Sequence, residues 1–530
     1  MTADKPVEGS APETLGQSIE NTAETMVDAV TKKLSQSNQS SDGIPRTSIE
    51  GTSEHKIADD VGMVGMGAHK MVGSDAMTQM LGQEAQEPRQ QCMLFPTYGV
   101  PTTIDDQLHW KISVAGWLYA DPPKSRMESF LMAAARRIAH VTSDSEEDKR
   151  LQERSKMFFT TTIRNIELAI RTVGFVPALG QAFTLEGPEF GNQLTAENVE
   201  DDGVKVSTGE TGHFTSELTV SANTIKEEAG KVLKIQTVYE QLAFPSYGVV
   251  DLISEHGISI VSDIDDTIKI TDIPDGREVI LENTFLNPTR EVDGMSELYR
   301  QWAGLGAHVH YVSNGPWQLF PMLSDFFAKF NFPPGSAHLR IIDRNDVIGT
   351  IRGTPGAHKL EVIPQIMNDF PNRKFILVGD TGELDPEVYQ KVYQQFPDRI
   401  VKVFIHDVTS ERAAKADLAA EQAKKEAATK GTKKVYLESL REAIGLHATV
   451  TGEAHISNSA VDAVTNTEQP PVQEASNDPN VPQLTRVELF NQRIAKVSEG
   501  MREGVFKLYK DPKEIYEDTV VVAAFNELAK

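Results

Sequence analysis

The chain is short of cysteine, of basic charge and of long apolar runs, and each shortage excludes something. A single cysteine in 530 residues, Cys92, excludes an intramolecular disulfide and suits a reducing compartment. Against 77 acidic residues stand 52 basic ones, for a formal net charge of −25. Binding to nucleic acid through its phosphate backbone needs a Lys/Arg surplus, so no nucleic-acid partner is expected. The same balance excludes attraction of the whole chain to an anionic membrane, although a local basic face can still dock. No stretch reaches about 18 uninterrupted apolar residues, so no spanning helix is expected. Residues 1–30 are acidic and polar, with neither the charged nor the apolar part of a secretory signal. The expectation is a cytoplasmic protein.

Aromatic residues are missing altogether from 1–90, which are rich in Ser, Thr, Glu, Gln, Gly and Met. Such a composition cannot bury enough surface to offset its own ordering entropy, so 1–90 reads as a disordered tail. Residues 448–482 lack a core pattern too, and with the Ala/Lys/Glu-rich helix expected over 411–445 they make a helical, then disordered, linker over 411–482. In the final segment, 483–530, Leu484, Val487, Phe490, Ile494, Val497 and Met501 share a helical face that should dock somewhere.

Two regions carry core patterns. Over 91–255, Leu108, Trp110, Ile112 and Val114 alternate as in a half-buried strand. So do Phe214, Leu218 and Val220, then Leu233, Ile235, Thr237 and Tyr239. Met127, Phe130, Leu131, Ala134 and Ile138 have helical spacing, so this is a β-rich domain with one helix. Phe95-Pro96-Thr97-Tyr98-Gly99-Val100 is echoed by Phe244-Pro245-Ser246-Tyr247-Gly248-Val249. Two copies are too few for a solenoid, and the pair reads as similar turns at the two ends of the domain. Over 256–410, strands are expected at 258–262, 308–312, 338–342, 374–378 and 400–405. Helices are expected between them, at 293–303, 317–329, 357–369 and 386–395. Alternation of this kind implies a Rossmann-like parallel sheet covered on both faces, with right-handed crossovers that bring every strand's carboxyl end to one edge.

Chemistry collects at those ends. The first strand runs into Asp263-x-Asp265-x-Thr267, the second into Ser313-Asn314-Gly315, and the fourth into Gly379-Asp380-Thr381-Gly382-Glu383-Leu384-Asp385. After the third, a glycine-rich loop (Gly349, Gly353, Gly356) leads to Lys359 at a helix start. Burying like charges together costs several kcal/mol unless a cation or a reaction needs them. Each part suits phosphoryl transfer. Asp263 can attack phosphorus and hold an acyl phosphate. Asp265, on the same side of an extended chain, can protonate the leaving alkoxide and later deprotonate water. Mg2+ prefers few carboxylates plus water and phosphate oxygens, and Asp263, Asp380 and the backbone carbonyl of Asp265 can supply them, with Asp385 behind. Ser313 with neighbouring amides, and Lys359, would neutralise phosphate oxygens. Read without these roles, Ser313 is a turn residue, Asp385 an N-cap before Pro386, and Trp317 and Phe320 are core.

The strings Ser262-Asp263-Ile264-Asp265-Asp266-Thr267-Ile268-Lys269, Val312-Ser313-Asn314-Gly315-Pro316-Trp317 and Val378-Gly379-Asp380-Thr381-Gly382-Glu383 resemble the haloacid dehalogenase superfamily. More closely, they resemble its fungal actin-patch phosphatidate phosphatase branch, over about residues 95–410. The resemblance implies Mg2+-dependent hydrolysis of phosphatidate to diacylglycerol, phosphate binding at Ser313, Asn314, Lys359 and Thr267, and metal binding at Asp263, Asp265, Asp380 and Asp385. It also implies a peripheral place at phosphatidate-containing membrane surfaces or cortical actin patches, with the tails engaging actin-patch or endocytic proteins. Only about 45 residues separate Thr267 from Ser313, and about as many separate Asn314 from Lys359, so no large cap domain is expected. An open site suits a phosphate on a large body, whereas small phosphoesters call for a lid. The rivals are the same chemistry on phosphoproteins or soluble phosphoesters, and a non-catalytic actin-patch or endocytic adaptor. An adaptor gives no reason for the five residues Asp263, Asp265, Ser313, Lys359 and Asp380.

Overall fold

The alternating apolar positions at 108–114 fall in one long strand, β3 (Gln107–Ala120), around which the β-rich part is organised. The computed structural model describes residues 89–121, 132–133, 136–137, 139–177, 203–223, 231–342, 356–430 and 484–528. The tail to residue 88, most of the helix expected from Met127 to Ile138, and the linker over 431–483 lie outside them. Strands β1 (Gln90–Leu94), β2 (Thr97–Ile104), β4 (Thr161–Thr162), β5 (Glu167–Pro177), β6 (Val204–Ser207), β7 (His213–Ser221), β8 (Lys231–Val238) and β9 (Ser246–Leu252) complete the sheet. Its order is β1-β3-β2-β9-β8-β5-β6, and β4 and β7 also pair with β3. Trp110, Ile112, Val114, Leu218, Leu233, Ile235 and Val250 fill its inner side, as the alternation requires.

The two echoed strings are more than turns. After Phe-Pro each becomes a strand, and β2 and β9 pair in parallel, Thr97 opposite Val250 and Gly99 opposite Leu252. Their glycines are packing residues: a Cβ at Gly99 would meet Leu252 Cδ2 at 2.7 Å, and one at Gly248 would meet Leu94 Cβ at 2.7 Å.

The second sheet is parallel throughout. It contains β10 (Ile258–Ser262), β11 (His308–Pro316), β12 (Gly335–Arg340), β13 (Lys374–Asp380), β14 (Ile400–His406) and β15 (Phe506–Tyr509), in the order β12-β11-β10-β13-β14-β15. The chain winds one way from β10 to β12 and then returns to lay β13 on the other side of β10. Between β10 and β13 the winding reverses, and in open α/β sheets ligands bind at the strand ends beside such a reversal. All five residues of β10 are buried, so the acidic string from Asp263 onward is delivered to the centre of that edge. Ahead of the sheet lies α1 (Glu146–Ser155); the crossovers supply α2 (Met295–Gly304), α3 (Phe320–Phe330), α4 (Ala357–Asp369) and α5 (Asp385–Gln395). Long α6 (Ser410–Lys430) comes after β14.

The first crossover holds helical turns at 273–286 and no cap domain among its residues. Those turns are fastened to the β-rich half, where Arg150 donates to the Leu286 carbonyl at 2.5 Å and Arg154 to the Thr284 carbonyl at 2.7 Å. The two halves share more. Phe95 stacks on Trp317 with ring centroids 3.4 Å apart, Tyr98 donates to Asp369 at 2.7 Å, and the Ala337 amide donates to the Pro96 carbonyl at 3.0 Å. Trp317 and Phe320 are therefore core.

The final segment docks on the α/β half. Helix α7 (Arg486–Ser498) starts at a capping box on Thr485 and Glu488, and Asp417 of α6 accepts from the Arg486 and Val487 amides at 3.0 Å. Then β15 pairs in parallel with β14 as a sixth strand, and α8 (Thr519–Leu528) packs Val521 and Phe525 inward.

Candidate active site

Where β10 ends, Asp263 is almost fully buried and its amide donates to the Val378 carbonyl of β13 at 2.9 Å. The sheet itself thus fixes the carboxylate. Three more carboxylates arrive from the turn between β13 and α5: Asp380, Glu383 and Asp385. All four are buried, and one oxygen from each lies within 4.8 Å of the others. Lys359, in the first turn of α4, enters the group from across the sheet. Its ammonium donates to Asp263 Oδ1 at 2.7 Å, to Glu383 Oε2 at 3.0 Å and to Asp385 Oδ1.

Local sequence explains the tight turn. Asp380 Oδ1 accepts from the amides of Gly382 at 2.5 Å and Glu383 at 3.2 Å. At Gly379 a Cβ would overlap the Asp385 carboxylate, so only glycine lets that side chain reach back to the Asp380 amide, 3.3 Å away. Asp385 occupies the first turn of α5 and caps nothing with its side chain, which corrects its reading as an N-cap. Its carboxylate is committed to Lys359 and the Asp380 amide.

Four carboxylates against one ammonium leave an excess of negative charge in a dry place. Burial, and then repulsion by Asp385 and Glu383, pushes the Asp263 carboxyl well above its ordinary range, although Lys359 opposes this. Burial and the neighbouring carboxylates do the same to Asp380 and raise Glu383 to about 7. For Lys359, burial works against the charge, but Asp263, Asp385 and Glu383 outweigh it and hold the ammonium more firmly than usual. Two buried oxygens, Asp263 Oδ2 and Asp380 Oδ2, have no hydrogen-bond partner among the described residues. Buried acceptors are nearly always satisfied, so this pair fits a divalent cation. It also fits the chemistry of Mg2+, which uses one or two carboxylates and keeps water or phosphate for its other positions.

The other candidates lie around this group. Asp265 stands beside it, with Oδ1 accepting from Thr271 at 2.5 Å and from Lys269 at 2.8 Å. Burial raises its pKa, but the charge and hydrogen bond of Lys269 and the hydroxyl of Thr271 outweigh that and bring it below the ordinary carboxylate range. Asp266 serves the loop, accepting from the amides of Thr271 and Asp272 at 2.7 Å and Ile273 at 2.6 Å. Asn314 Nδ2 donates to Glu383 Oε2 at 3.0 Å, while its own Oδ1 is buried without a partner among the described residues. Ser313 is buried and accepts from the Gly315 amide at 2.9 Å. The Thr267 hydroxyl is buried without a partner among the described residues. Of the residues named from sequence, Asp263, Lys359, Asp380, Asp385 and Asn314 are joined in one network. Asp265, Ser313 and Thr267 make no hydrogen bond to it. Glu383 was missed as a member, although it stands in the same string. Its charge and its place three residues after Asp380 were the available signal.

Four buried carboxylates and a lysine gathered at the carboxyl ends of the central strands of a parallel α/β sheet make a candidate catalytic and metal-binding centre. More particularly, residues 258–407 match the family described as "Phosphatidate phosphatase APP1, catalytic domain", a span from β10 to just past β14 that includes every candidate site residue. The chain is 37% identical over 156 residues to the phosphatidate phosphatase APP1 of Saccharomyces cerevisiae, covering 29% of this chain and 26% of that protein. It is also 36% identical over 212 residues to an uncharacterised protein of Schizosaccharomyces pombe, covering 39% of this chain and 35% of that one. The matches thus span about a third or less of these relatives' length. The resemblance carried by the three strings is borne out for this domain. Among the described residues, no helix is long and apolar enough to cross a membrane.

Proposed function

We propose that this protein is a Mg2+-dependent phosphatidate phosphatase that works through an aspartyl phosphate on Asp263. The observation that supports this most is the pair of unpartnered carboxylate oxygens, on Asp263 and Asp380, buried inside the span that matches the catalytic-domain family. Asp263 and Asp380 would hold the cation, with Asp265 contributing its backbone carbonyl and Asp385 supporting from behind. When bound, a divalent cation supplies positive charge that lets an anionic carboxylate and a phosphate approach each other.

The residues would then divide the work. A carboxylate oxygen of Asp263 attacks phosphorus, the P–O bond to diacylglycerol breaks, and the alkoxide takes a proton to leave as the alcohol. Water then attacks the acyl phosphate, phosphate leaves, and the Asp263 carboxylate is restored. Asp265 is suited to the base role in this second step, since Lys269 and Thr271 favour its ionised form. To act as the acid in the first step it must loosen that clamp. Lys359 can pass from Asp263 to a phosphate oxygen, and Asn314 can offer its amide there.

Phosphatidate is favoured as substrate by the family match and by the first crossover, which carries no cap domain. With a net charge of −25, docking on an anionic lipid surface would depend on a local face. A cytoplasmic, peripheral location at membranes or cortical actin patches, with tails that engage actin-patch or endocytic proteins, belongs to the same reading. The test is phosphate release from phosphatidate in mixed micelles, compared with a phosphopeptide and a small soluble phosphoester, with Mg2+ and with EDTA. Preference for the lipid, silenced by EDTA and by Asp263→Asn by at least about 1,000-fold, is the expected result. Preference for the peptide removes the lipid reading. Normal turnover by Asp263→Asn removes the mechanism.

A further inference from the structure

The carboxylate turn after β13 is held from outside as well as from within. Arg493, on α7, lies more than eighty residues beyond the end of the family match at residue 407. Its guanidinium is mostly buried and meets four acceptor oxygens on three residues. It donates to the Thr381 carbonyl at 2.6 Å, to the Glu383 carbonyl at 2.5 Å, and to both Glu387 oxygens at 2.7 and 2.8 Å. Thr381 and Glu383 flank Gly382, whose amide donates to Asp380 Oδ1. The clamp therefore fixes the peptide plane that orients Asp380 and leaves Asp380 Oδ2 unpartnered within the cluster. Glu387, two residues into α5 beyond Asp385, ties the same fork to the helix that carries the fourth carboxylate.

We propose that Arg493 is a positioning residue for the cation site, and that the C-terminal segment thereby completes a catalytic domain whose family match ends at residue 407. This rests on the reading of the carboxylate group as a divalent-metal site. A planar guanidinium with five fixed donors can satisfy two carbonyls and a carboxylate at once, whereas an ammonium cannot match that fork. Outer partners of this kind, when lost, typically weaken metal binding by about 10–100-fold. Docking of α7 has its own contacts, including the Gln390 side-chain amide donating to the Lys496 carbonyl at 2.8 Å. Those do not touch the turn.

The experiment uses the full chain with Mg2+ as the added cation, and phosphatidate in mixed micelles for the activity arm. For wild type, Arg493→Gln, Arg493→Lys and Gln390→Ala, the melting midpoint is followed in EDTA and through a Mg2+ titration, and phosphate release is followed against Mg2+ concentration. Arg493→Gln should melt within a few degrees of wild type in EDTA, yet need about 10-fold more Mg2+ for half of the stabilisation and half of the activity. Arg493→Lys should fall between, and Gln390→Ala should titrate like wild type. Arg493→Gln titrating like wild type overturns the inference while leaving the metal site intact. An equal shift in Gln390→Ala overturns it too, because general docking would then explain the effect. A wild type that does not respond to Mg2+ overturns the metal reading itself, and this inference with it.

Discussion

At the scale of single residues, the site is a collection of costs that only its function explains. Asp263, Asp380, Glu383 and Asp385 repel one another in a dry setting, and Lys359 offsets only part of that. Removing one negative charge should therefore stabilise the metal-free protein while destroying its activity. Asp263→Asn keeps an oxygen for Lys359, and its new amide can face Asp380 Oδ2. In EDTA it should gain about 1–3 kcal/mol, with a higher melting midpoint than wild type. Lys359→Met is the mirror image: it strands the carboxylates without their counter-charge and should lose about 3–5 kcal/mol in EDTA. If Asp263→Asn melts lower than wild type, the repulsion described here is not what limits the apo fold. The legibility of the site follows from the same physics. Asp263, Asp380 and Asp385 stood out because acidic residues at the ends of apolar strands are expensive, and Lys359 because it opens a helix. Glu383 was hidden because its role depends on the reach of Lys359 and Asn314, which no spacing rule gives.

At the scale of elements, the order of the parallel sheet was readable because buried apolar strands and amphipathic helices alternate. Strand β10 and helix α4 fall at the expected 258–262 and 357–369, whereas β11 runs four residues past the expected 312 and β12 lies at Gly335–Arg340 instead of 338–342. Two features escaped. Strand β15 is only four residues, Phe506–Tyr509, and carries two lysine-flanked apolar positions that look like a loop until β14 lies beside them. The glycines of the two echoed strings looked like turn markers, because glycine weakens an isolated strand. Their reason is a partner that lies far away in sequence. Gly99 faces Leu252 and Ile112, and Gly248 faces Leu94 and Ile235, so β2 and β9 approach the core more closely than any larger residue allows. Gly99→Val places methyl groups where Leu252 Cδ2 already stands 2.7 Å from the Cβ position. Overpacking of this kind costs about 1–3 kcal/mol, to be read as a lower urea midpoint with an unchanged slope. An unchanged midpoint would mean that Leu252 can swing aside and that the glycine is not required.

At the scale of the whole molecule, the β-rich half and the α/β half are fastened by groups that neither could leave unsatisfied alone. The Phe95–Trp317 stack, the Tyr98–Asp369 hydrogen bond, the His308–Asp251 hydrogen bond at 2.8 Å and the arginine donors of α1 to the 284–287 carbonyls cross one seam. Two of the three apolar clusters include residues from both halves. The β-rich half is thus a structural partner of the catalytic sheet, and the two should unfold together. Ile112→Ala tests this, because Ile112 is fully buried in the cluster that belongs to the β-rich half alone. The lost side chain should cost about 2–5 kcal/mol. Among the described residues, seven of the eight labelled helices belong to the α/β half, so its unfolding should be seen as a loss of ellipticity at 222 nm. If the halves form one cooperative unit, this signal and tryptophan emission should move together to lower urea in Ile112→Ala, in a single transition. A helix signal that keeps its wild-type midpoint while emission shifts would show two independent units and undo the seam's role.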